Sequence, residues 1–325
     1  MKAVLFILAI ICTAAFARTL TANQYEFLFT RFVEQYDKKY ETNNFFARFN
    51  IFKSNLDMIL AHNAKNLSWT MAVNQFADYT TEEFEAMMGL NNVVEAPFAH
   101  SLLTAPVKNI KIAESIDWRA KNVVNPVKNQ ASCGSCWAFS AVSGIESSIA
   151  IKTGQLHDLS EQQLVDCSGS YGNHGCNGGL MSSAYEYVKA AGGVCATSDY
   201  AYTARDESCK DSSCKKIATV TGYKFIANGD QAHLEALQDQ PIPVAIAASS
   251  SAFQFYNSGI LTQCSDRSVN HAVNLVGYGV EGGVQYYILR NSWGTSWGDA
   301  GYMKIATGNN LCGLTTSRFD CFPTV

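Results

Sequence analysis

The chain has 325 residues, 47% hydrophobic and 16% charged, with a formal net charge of −4. That balance excludes a disordered chain, because there is ample apolar surface to bury, and it offers no basic footprint for nucleic acid. Eleven cysteines fit a disulfide framework if the protein leaves the reducing cytosol.

Met1-Lys2, an apolar run to Ile11 and then Ala15-Phe16-Ala17 have the three-part form of a secretory signal, which sets 1–17 apart. The run falls short of the ~20 apolar residues of a spanning helix, and no later segment could anchor the chain, so no membrane partner is expected. Residues 18–111 read as a separate unit. Tyr25, Phe27, Leu28, Phe29, Phe32, Val33 and Tyr36 predict an aromatic-rich amphipathic helix. Phe45, Phe49, Phe52, Leu56 and Ile59 predict a second, over about 45–63. Alternation from Met71 to Tyr79 suits a short strand, and Thr81-Glu82-Glu83-Phe84 can open a short helix. Residues 89–111, with Pro97 and Pro106, lack periodicity and read as an extended linker.

From 112 onward the pattern is first helical. Ala138, Ala141, Val142, Ile145 and Ile149 recur at helical spacing after Cys136, with Gly154 at the stop. Leu159–Val165 has Ser160 and Gln163 at capping-box spacing, and Met181–Ala190 is stopped by Gly192-Gly193. Strands follow at 217–226, 243–247, 271–278, 286–290 and 301–305. A helical half and a strand half predict an α+β fold with a shared cleft.

The chemistry centres on Asn129–Ser140, a small-residue loop that becomes a helix at Cys136. A thiol in a first helical turn faces unpaired N–H groups and the positive end of the dipole, which favour thiolate. Such a nucleophile needs a base, an orienter and oxyanion donors. His62, His100, His157 and His174 lie in polar or irregular sequence and His233 in a plausible surface helix, so all five are expected to be solvated. His271 alone opens a strongly apolar strand, where it can serve as base. Asn291, at the end of the next strand, can hold one ring nitrogen, and Trp293 can cover that bond. Gln130 can offer a side-chain N–H to an oxyanion beside the Cys136 N–H.

Gln130, Cys133-Gly134-Ser135-Cys136-Trp137, Asn270-His271-Ala272-Val273 and Asn291-Ser292-Trp293-Gly294 resemble the papain family of cysteine proteases, in its cathepsin L-like branch. The resemblance spans essentially the whole chain. It implies Cys136 as nucleophile, His271 as base and acid, Asn291 as orienter and Gln130 as oxyanion donor. It also implies a papain-like fold of two subdomains, a helical half and an antiparallel β-barrel-like half, behind an N-terminal helical inhibitory prodomain. The implied division is signal 1–17, propeptide 18–111 and peptidase 112–325.

Arg48, Phe52, Asn55, Ile59 and Asn63 match the family's inhibitory-helix motif, and Asn74, Phe76 and Asp78 its second prodomain motif. Asn44 and Ala72 depart from the pattern, the first at the cost of a helix-stabilising ion pair. In relatives the chain after the prodomain's globular part runs backwards through the cleft. Residues 89–111 would then cover Cys136, with maturation near Lys111 to Ala113, ahead of Ser115-Ile116-Asp117-Trp118. Family pairing implies disulfides Cys133–Cys176, Cys167–Cys209 and Cys264–Cys312, leaving Cys195, Cys214 and Cys321 over. A Cys195–Cys214 bridge would close a loop of about 20 residues, worth ~3 kcal/mol.

The resemblance assigns Gly178 and Gly179 to backbone contacts with substrate. It places Leu180, Met181, Ala245, Val269, Ala272 and Ser317 around the main specificity pocket, so an apolar residue two before the scissile bond is expected. No His-rich occluding insertion is present, which favours endopeptidase action. The expected partners are peptide and protein substrates, the chain's own propeptide and cystatin-type inhibitors, with a monomeric enzyme and neither cofactor nor metal. The expected destination is the secretory pathway, to lysosome or vacuole or the exterior. Two alternatives stand beside this. Cys133-Gly134-Ser135-Cys136 is itself a C-x-x-C motif of thiol–disulfide redox proteins, and a catalytically silent binding homologue would keep the fold.

Overall fold

The computed structural model describes residues 20–90, 104–316 and 318–325. The expected signal, His100, Pro97 and Ser317 lie outside them. Among the described residues no helix is long and apolar enough to cross a membrane.

The N-terminal unit is built on aromatic packing. Helix α1 (Ala22–Gln35) starts at a capping box formed by Thr21 and Gln24, and α2 (Thr42–Asn63) crosses it. Phe29 lies 5.3 Å from the rings of Phe45, Phe49 and Phe52, and Phe32 lies 5.0 Å from Phe52. Both helices begin three residues before their first periodic aromatic, because polar caps precede the apolar pattern. Strand β1 (Trp69–Met71) is much shorter than the alternation from Met71 to Tyr79 suggests. Asn74 ends it: its side-chain oxygen accepts the Phe76 N–H at 3.0 Å and its carbonyl accepts the Ala77 N–H at 3.0 Å, coiling the backbone into turns. A short helix, α3 (Thr81–Glu85), opens with the capping box Thr80/Glu83. Glu83 also takes both guanidinium nitrogens of Arg48, at 2.6 and 2.7 Å. Thus Arg48, deprived of a glutamate at Asn44, finds its carboxylate on a different helix.

In the C-terminal unit, helix α4 (Cys136–Thr153) is buried along nearly its whole length and ends at Gly154, whose φ of +75° closes the helix in the left-handed region. It is accompanied by α5 (Glu161–Cys167) and α6 (Met181–Ala190). Ser160 caps α5 by accepting the Gln163 N–H at 3.0 Å. Its capping box stays half-made, because the Gln163 amide turns to Tyr187, Gly193 and Cys195 instead. A polar cluster sits beneath α4: Lys128 Nζ meets Glu146 at 3.1 Å and Glu161 and Asp158 at 2.7 Å each. Burial pushes the Glu161 carboxyl up, and the ammonium opposes that.

The other half is a seven-stranded sheet. Its path runs from β1 through β7 (Tyr256–Leu261), β10 (Tyr302–Ala306), β9 (Val284–Arg290) and β8 (His271–Glu281) to β2 (Ile116–Asp117), with β6 (Ile242–Ile246) also on β8. All pairs are antiparallel except β10 with β7, a departure from the wholly antiparallel expectation. The expected strand over 217–226 divides into β4 (Lys216–Ala218), which pairs with β3 (Val194–Cys195), and β5 (Gly222–Phe225), which pairs with β11 (Cys321–Thr324). Helix α7 (Asp230–Asp239) precedes β6, and α8 (Ser251–Gln254) precedes β7. Ser140 on α4 donates to the Val273 carbonyl of β8 at 2.8 Å, tying helix to sheet.

Of the four described histidines expected in solvent, two are buried. On α7, His233 bonds Asp320 at 3.0 Å and the Gly229 carbonyl at 2.9 Å; His62 bonds the Trp69 carbonyl at 3.3 Å. The partner of His233 lies 87 residues away, beyond the reach of local pattern. Disulfides join Cys133–Cys176, Cys167–Cys209, Cys264–Cys312 and Cys195–Cys214, and Cys321 is a buried thiol. Residues 104–113 run along the C-terminal unit. Ala105 N–H donates to the Phe225 carbonyl at 2.8 Å, and the Glu235 carboxylate accepts the Lys108 and Ile110 N–H groups at 2.7 and 3.1 Å.

Phe52 is 1% exposed and Phe46, six residues earlier, 72%. Phe52→Ala should cost about 3–5 kcal/mol of stability, whereas Phe46→Ala should stay within about 0.5 kcal/mol. Urea unfolding of full-length chains made inactive by Cys136→Ala checks this, and equal losses would contradict the packing described.

Candidate active site

Cys136 is fully buried at the first residue of α4. The Ser135 side chain makes no capping hydrogen bond, which leaves first-turn N–H groups near the sulfur. Across from them, the Ala272 N–H of β8 donates to Sγ at 3.4 Å. His271 therefore lies on the wall that touches the thiol.

The His271 Nε2 is 2.8 Å from Asn291 Oδ1, and that oxygen also accepts the Ser292 N–H at 2.8 Å. The second bond fixes which end of the amide faces the ring. Nε2 must then carry the hydrogen, so Nδ1 keeps its lone pair. Nδ1 is buried with no hydrogen-bond partner. Trp293 stacks on the imidazole, with ring centres 4.6 Å apart and planes 28° off parallel. Phe253 and Trp297 brace the indole edge-on, at 5.5 and 5.3 Å.

Gln130 is wholly buried and held on several sides. Its N–H donates to the Ser292 carbonyl at 2.8 Å, and its Oε1 accepts the Ser292 hydroxyl at 2.7 Å. That leaves Nε2 to donate to the carbonyls of Cys133, at 3.0 Å, and Met87, at 3.3 Å. Met87 belongs to the N-terminal unit.

The chain lays its own backbone over this site. The Gly179 N–H donates to the Gly89 carbonyl, and the Leu90 N–H to the Asn270 carbonyl, both at 3.0 Å. A Cβ on Gly89 would come within 2.1 Å of the Gly134 oxygen and 2.9 Å of Cys136 Sγ, so only glycine passes the thiol this closely. Leu90, 4% exposed, belongs to the buried cluster that contains Leu180, Met181, Ala245 and Ala272, and Val269 packs against it. Gly178 and Gly179 are buried, and a Cβ on Gly179 would meet the Trp137 indole at 2.7 Å. The covering segment thus starts at Met87, just after α3, ahead of the expected 89–111.

Burial governs the charge state here. It pushes the Cys136 thiol up to about 11, against N–H groups of Ala272, Gly89, Trp137 and Cys136 itself. It pushes His271 down to about 4, and the Asn291 bond recovers only part of this. While the cover is in place burial thus works against the thiolate expected from the helix terminus, and favours the neutral thiol and the neutral imidazole. The donors that would stabilise the anion are present, but water is excluded. A C-x-x-C redox couple is not formed either, since Cys133 is bonded to Cys176 and Cys136 is free.

Sequence reasoning brought Cys136, His271, Asn291, Gln130, Trp293, Gly179 and the apolar pocket residues into one cleft. It missed Met87, which lies two residues ahead of the expected covering segment 89–111, and did not single out Leu90 within that segment. It also missed Tyr202, whose hydroxyl donates to the Gln130 carbonyl at 2.8 Å.

A family model described as papain family cysteine protease matches residues 112–321, and one described as cathepsin propeptide inhibitor domain matches 29–84. Digestive cysteine proteinase 1 of Homarus americanus is 46% identical over 288 residues, 86% of this chain and 88% of its own length. Procathepsin L of Mus musculus is 40% identical over 331 residues, 96% of this chain and 97% of its own. Among solved structures, digestive procathepsin L 3 of Tenebrio molitor larval midgut superposes with a TM-score of 0.84 at 35% identity, covering 95% of this chain and all of the other. The precursor of recombinant stem bromelain gives 0.83 at 35% identity, covering 93% and 99%.

A histidine kept neutral by burial binds its proton less readily than in the unfolded chain, so its contribution to stability is present above about pH 6.5 and is lost as acid charges it, down to about 4. The Cys136→Ala full chain should lose stability between pH 7 and pH 5. Adding His271→Gln should remove up to about 2 kcal/mol of that loss, at about 1.4 kcal/mol per pH unit. Urea midpoints at the two pH values test it; parallel slopes would refute it.

Proposed function

Because the chain belongs to the papain family of cysteine proteases, and is a cathepsin L-like endopeptidase made with an inhibitory propeptide, we propose specific roles for its residues. Cys136 is the nucleophile, His271 its base and then acid, Asn291 the orienter, and Gln130 with the Cys136 N–H the oxyanion site. The observation that carries this reading is the peptide already lying in the cleft. Its Met87 carbonyl meets Gln130, its Gly89–Leu90 backbone bonds Gly179 and Asn270, and its leucine joins the apolar pocket.

Removing residues 18–111 admits water to the cleft. The N–H groups at the start of α4 then favour the thiolate, and His271 takes the thiol proton at Nδ1. The sulfur attacks the scissile carbonyl and forms a C–S bond. The carbonyl electron pair moves to oxygen, and Gln130 Nε2 and the Cys136 N–H donate hydrogen bonds to that oxyanion. Collapse of this intermediate breaks the C–N bond, and His271 gives its proton to the leaving amine. Water, deprotonated by His271, then cleaves the thioester and the thiol is restored. Trp293 screens the His271–Asn291 bond throughout.

Substrate lies extended along Gly178 and Gly179, with an apolar side chain two residues before the scissile bond among Leu180, Met181, Ala245, Val269 and Ala272. Leu90, held in that cluster, is the reason to expect Leu, Phe or Val there. Ser317 is assigned to the same pocket on family resemblance alone. We place the mature start near Ile112, ahead of β2, and the chain on the secretory route to lysosome, vacuole or exterior. Cystatin-type inhibitors are further expected partners, and the enzyme is expected to act as a monomer.

A peptide-library cleavage profile of the activated protein should show this apolar preference and vanish with Cys136→Ala. Cleavage that survives the substitution would remove the mechanism. Gln130→Ala should lower kcat about 100-fold or more, by loss of one oxyanion donor. Asn270 holds the 248–249 turn, accepting the Ala248 N–H at 2.9 Å and donating to the Ser249 hydroxyl at 2.5 Å. An added carboxylate favours the charged imidazole, so Asn270→Asp should move the alkaline limb of kcat/KM up by about half a unit or more. Superimposable pH curves would show that position 270 does not tune His271.

A further inference from the structure

We propose that Tyr202 is a positioning residue whose hydroxyl sets the spacing between the two oxyanion donors. The inference rests on the assignment of Gln130 and the Cys136 N–H to that role. Tyr202 Oη lies 2.8 Å from the Gln130 carbonyl and 2.7 Å from Ser135 Oγ. A carbonyl can only accept, so the phenolic hydrogen goes to Gln130, and Ser135 donates to the phenolic oxygen. One hydroxyl therefore spans the loop. One end of that loop carries the Gln130 amide; the other carries the peptide that supplies the Cys136 N–H.

The loop needs this tie. Ala131 has a φ of +53°, a left-handed conformation that an alanine does not prefer. Both sides of the Gln130–Ala131 peptide are pinned: its carbonyl accepts from Tyr202, and its N–H donates to Asn129 Oδ1 at 2.9 Å. Releasing one pin lets the peptide relax and carries the Gln130 side chain with it.

Tyr202 is placed independently of the loop it holds. Its own segment is tethered to α5. Thr203 N–H donates to Gln162 Oε1, Gln162 Nε2 donates to the Arg205 carbonyl, and Glu207 N–H donates to Asp166 Oδ1, each at 2.8 Å. The Cys167–Cys209 disulfide closes the same segment, and Phe139 stands edge-on to the Tyr202 ring at 4.8 Å. The hydroxyl thus transmits a position set by the helical half to a loop that the Cys133–Cys176 disulfide and the Gln130–Ser292 bonds hold elsewhere.

The test uses the activated enzyme on a peptide amide substrate. Tyr202→Phe should lower kcat about 5- to 20-fold, a fraction of the loss from removing a donor outright, with KM within about twofold. The rate of Cys136 alkylation and its pH dependence should stay at the wild-type level, because alkylation needs the thiolate but no oxyanion site. Ser135→Ala, which loosens the same hydroxyl from its other side, should give a smaller kcat loss with the same unchanged alkylation. In a Gln130→Ala background, Tyr202→Phe should add little. A Tyr202→Phe enzyme within twofold of wild-type kcat, a parallel fall in alkylation, or losses that multiply in the double variant would each overturn the inference. If Gln130→Ala itself keeps full kcat, the oxyanion assignment fails and this inference goes with it. A loss in Gln130→Ala beside a normal Tyr202→Phe overturns the inference alone.

Discussion

The exclusion of water from the Cys136 sulfur by the backbone of Met87–Leu90 is the constraint on which the rest depends. The start of α4 and the Ala272 N–H already face the thiol, and His271 precedes Ala272 on the same strand. Burial outweighs them in direction, raising the thiol and lowering the imidazole, and so favours the neutral pair. Latency thus follows from a peptide occupying the cleft, and glycine at 89 is what lets a backbone lie that close.

Holding that peptide in place is the task of the N-terminal unit. Phe76 and Phe84 stand edge-on to Trp293 at 5.4 and 5.2 Å, on the indole that covers His271. Gln75 donates to the Trp293 carbonyl at 2.7 Å, and β1 extends the sheet beside β7. The aromatic core of α1 and α2 is in turn joined to these turns by polar ties. Lys38 and Tyr40 converge on Asp78 at 2.8 Å each, and Asn55 holds the Ala77 and Tyr79 carbonyls at 2.9 and 3.0 Å. The buried apolar cluster runs without a break from Phe29 to Trp297. The two units therefore share a core, and the cover cannot lift from the cleft without exposing part of it.

Much of this was legible in the chain because it is local. Helical spacing and Gly154 marked α4, Gly192-Gly193 marked the end of α6, and the apolar run after His271 marked β8. The strand read over 71–79 failed because Asn74 spends its hydrogen bonds on the next turn, which a period-two pattern does not register. His233 failed for another reason. A histidine on a helix with polar neighbours looks solvated until Asp320 arrives from the far end of the chain.

By itself the sequence determined the chemical groups and their order: a thiol where loop becomes helix, an imidazole at the head of an apolar strand, an amide at the end of the next. Spacing and side-chain type decide these, and both are read along one dimension. Only the tertiary structure decided their state. The charge on Cys136 and His271, the tautomer fixed through Asn291 and Ser292, and the pinning of Gln130 by Tyr202 depend on groups many residues apart and on the absence of water between them. Desolvation and hydrogen-bond geometry act through space, and no local pattern in the chain encodes them.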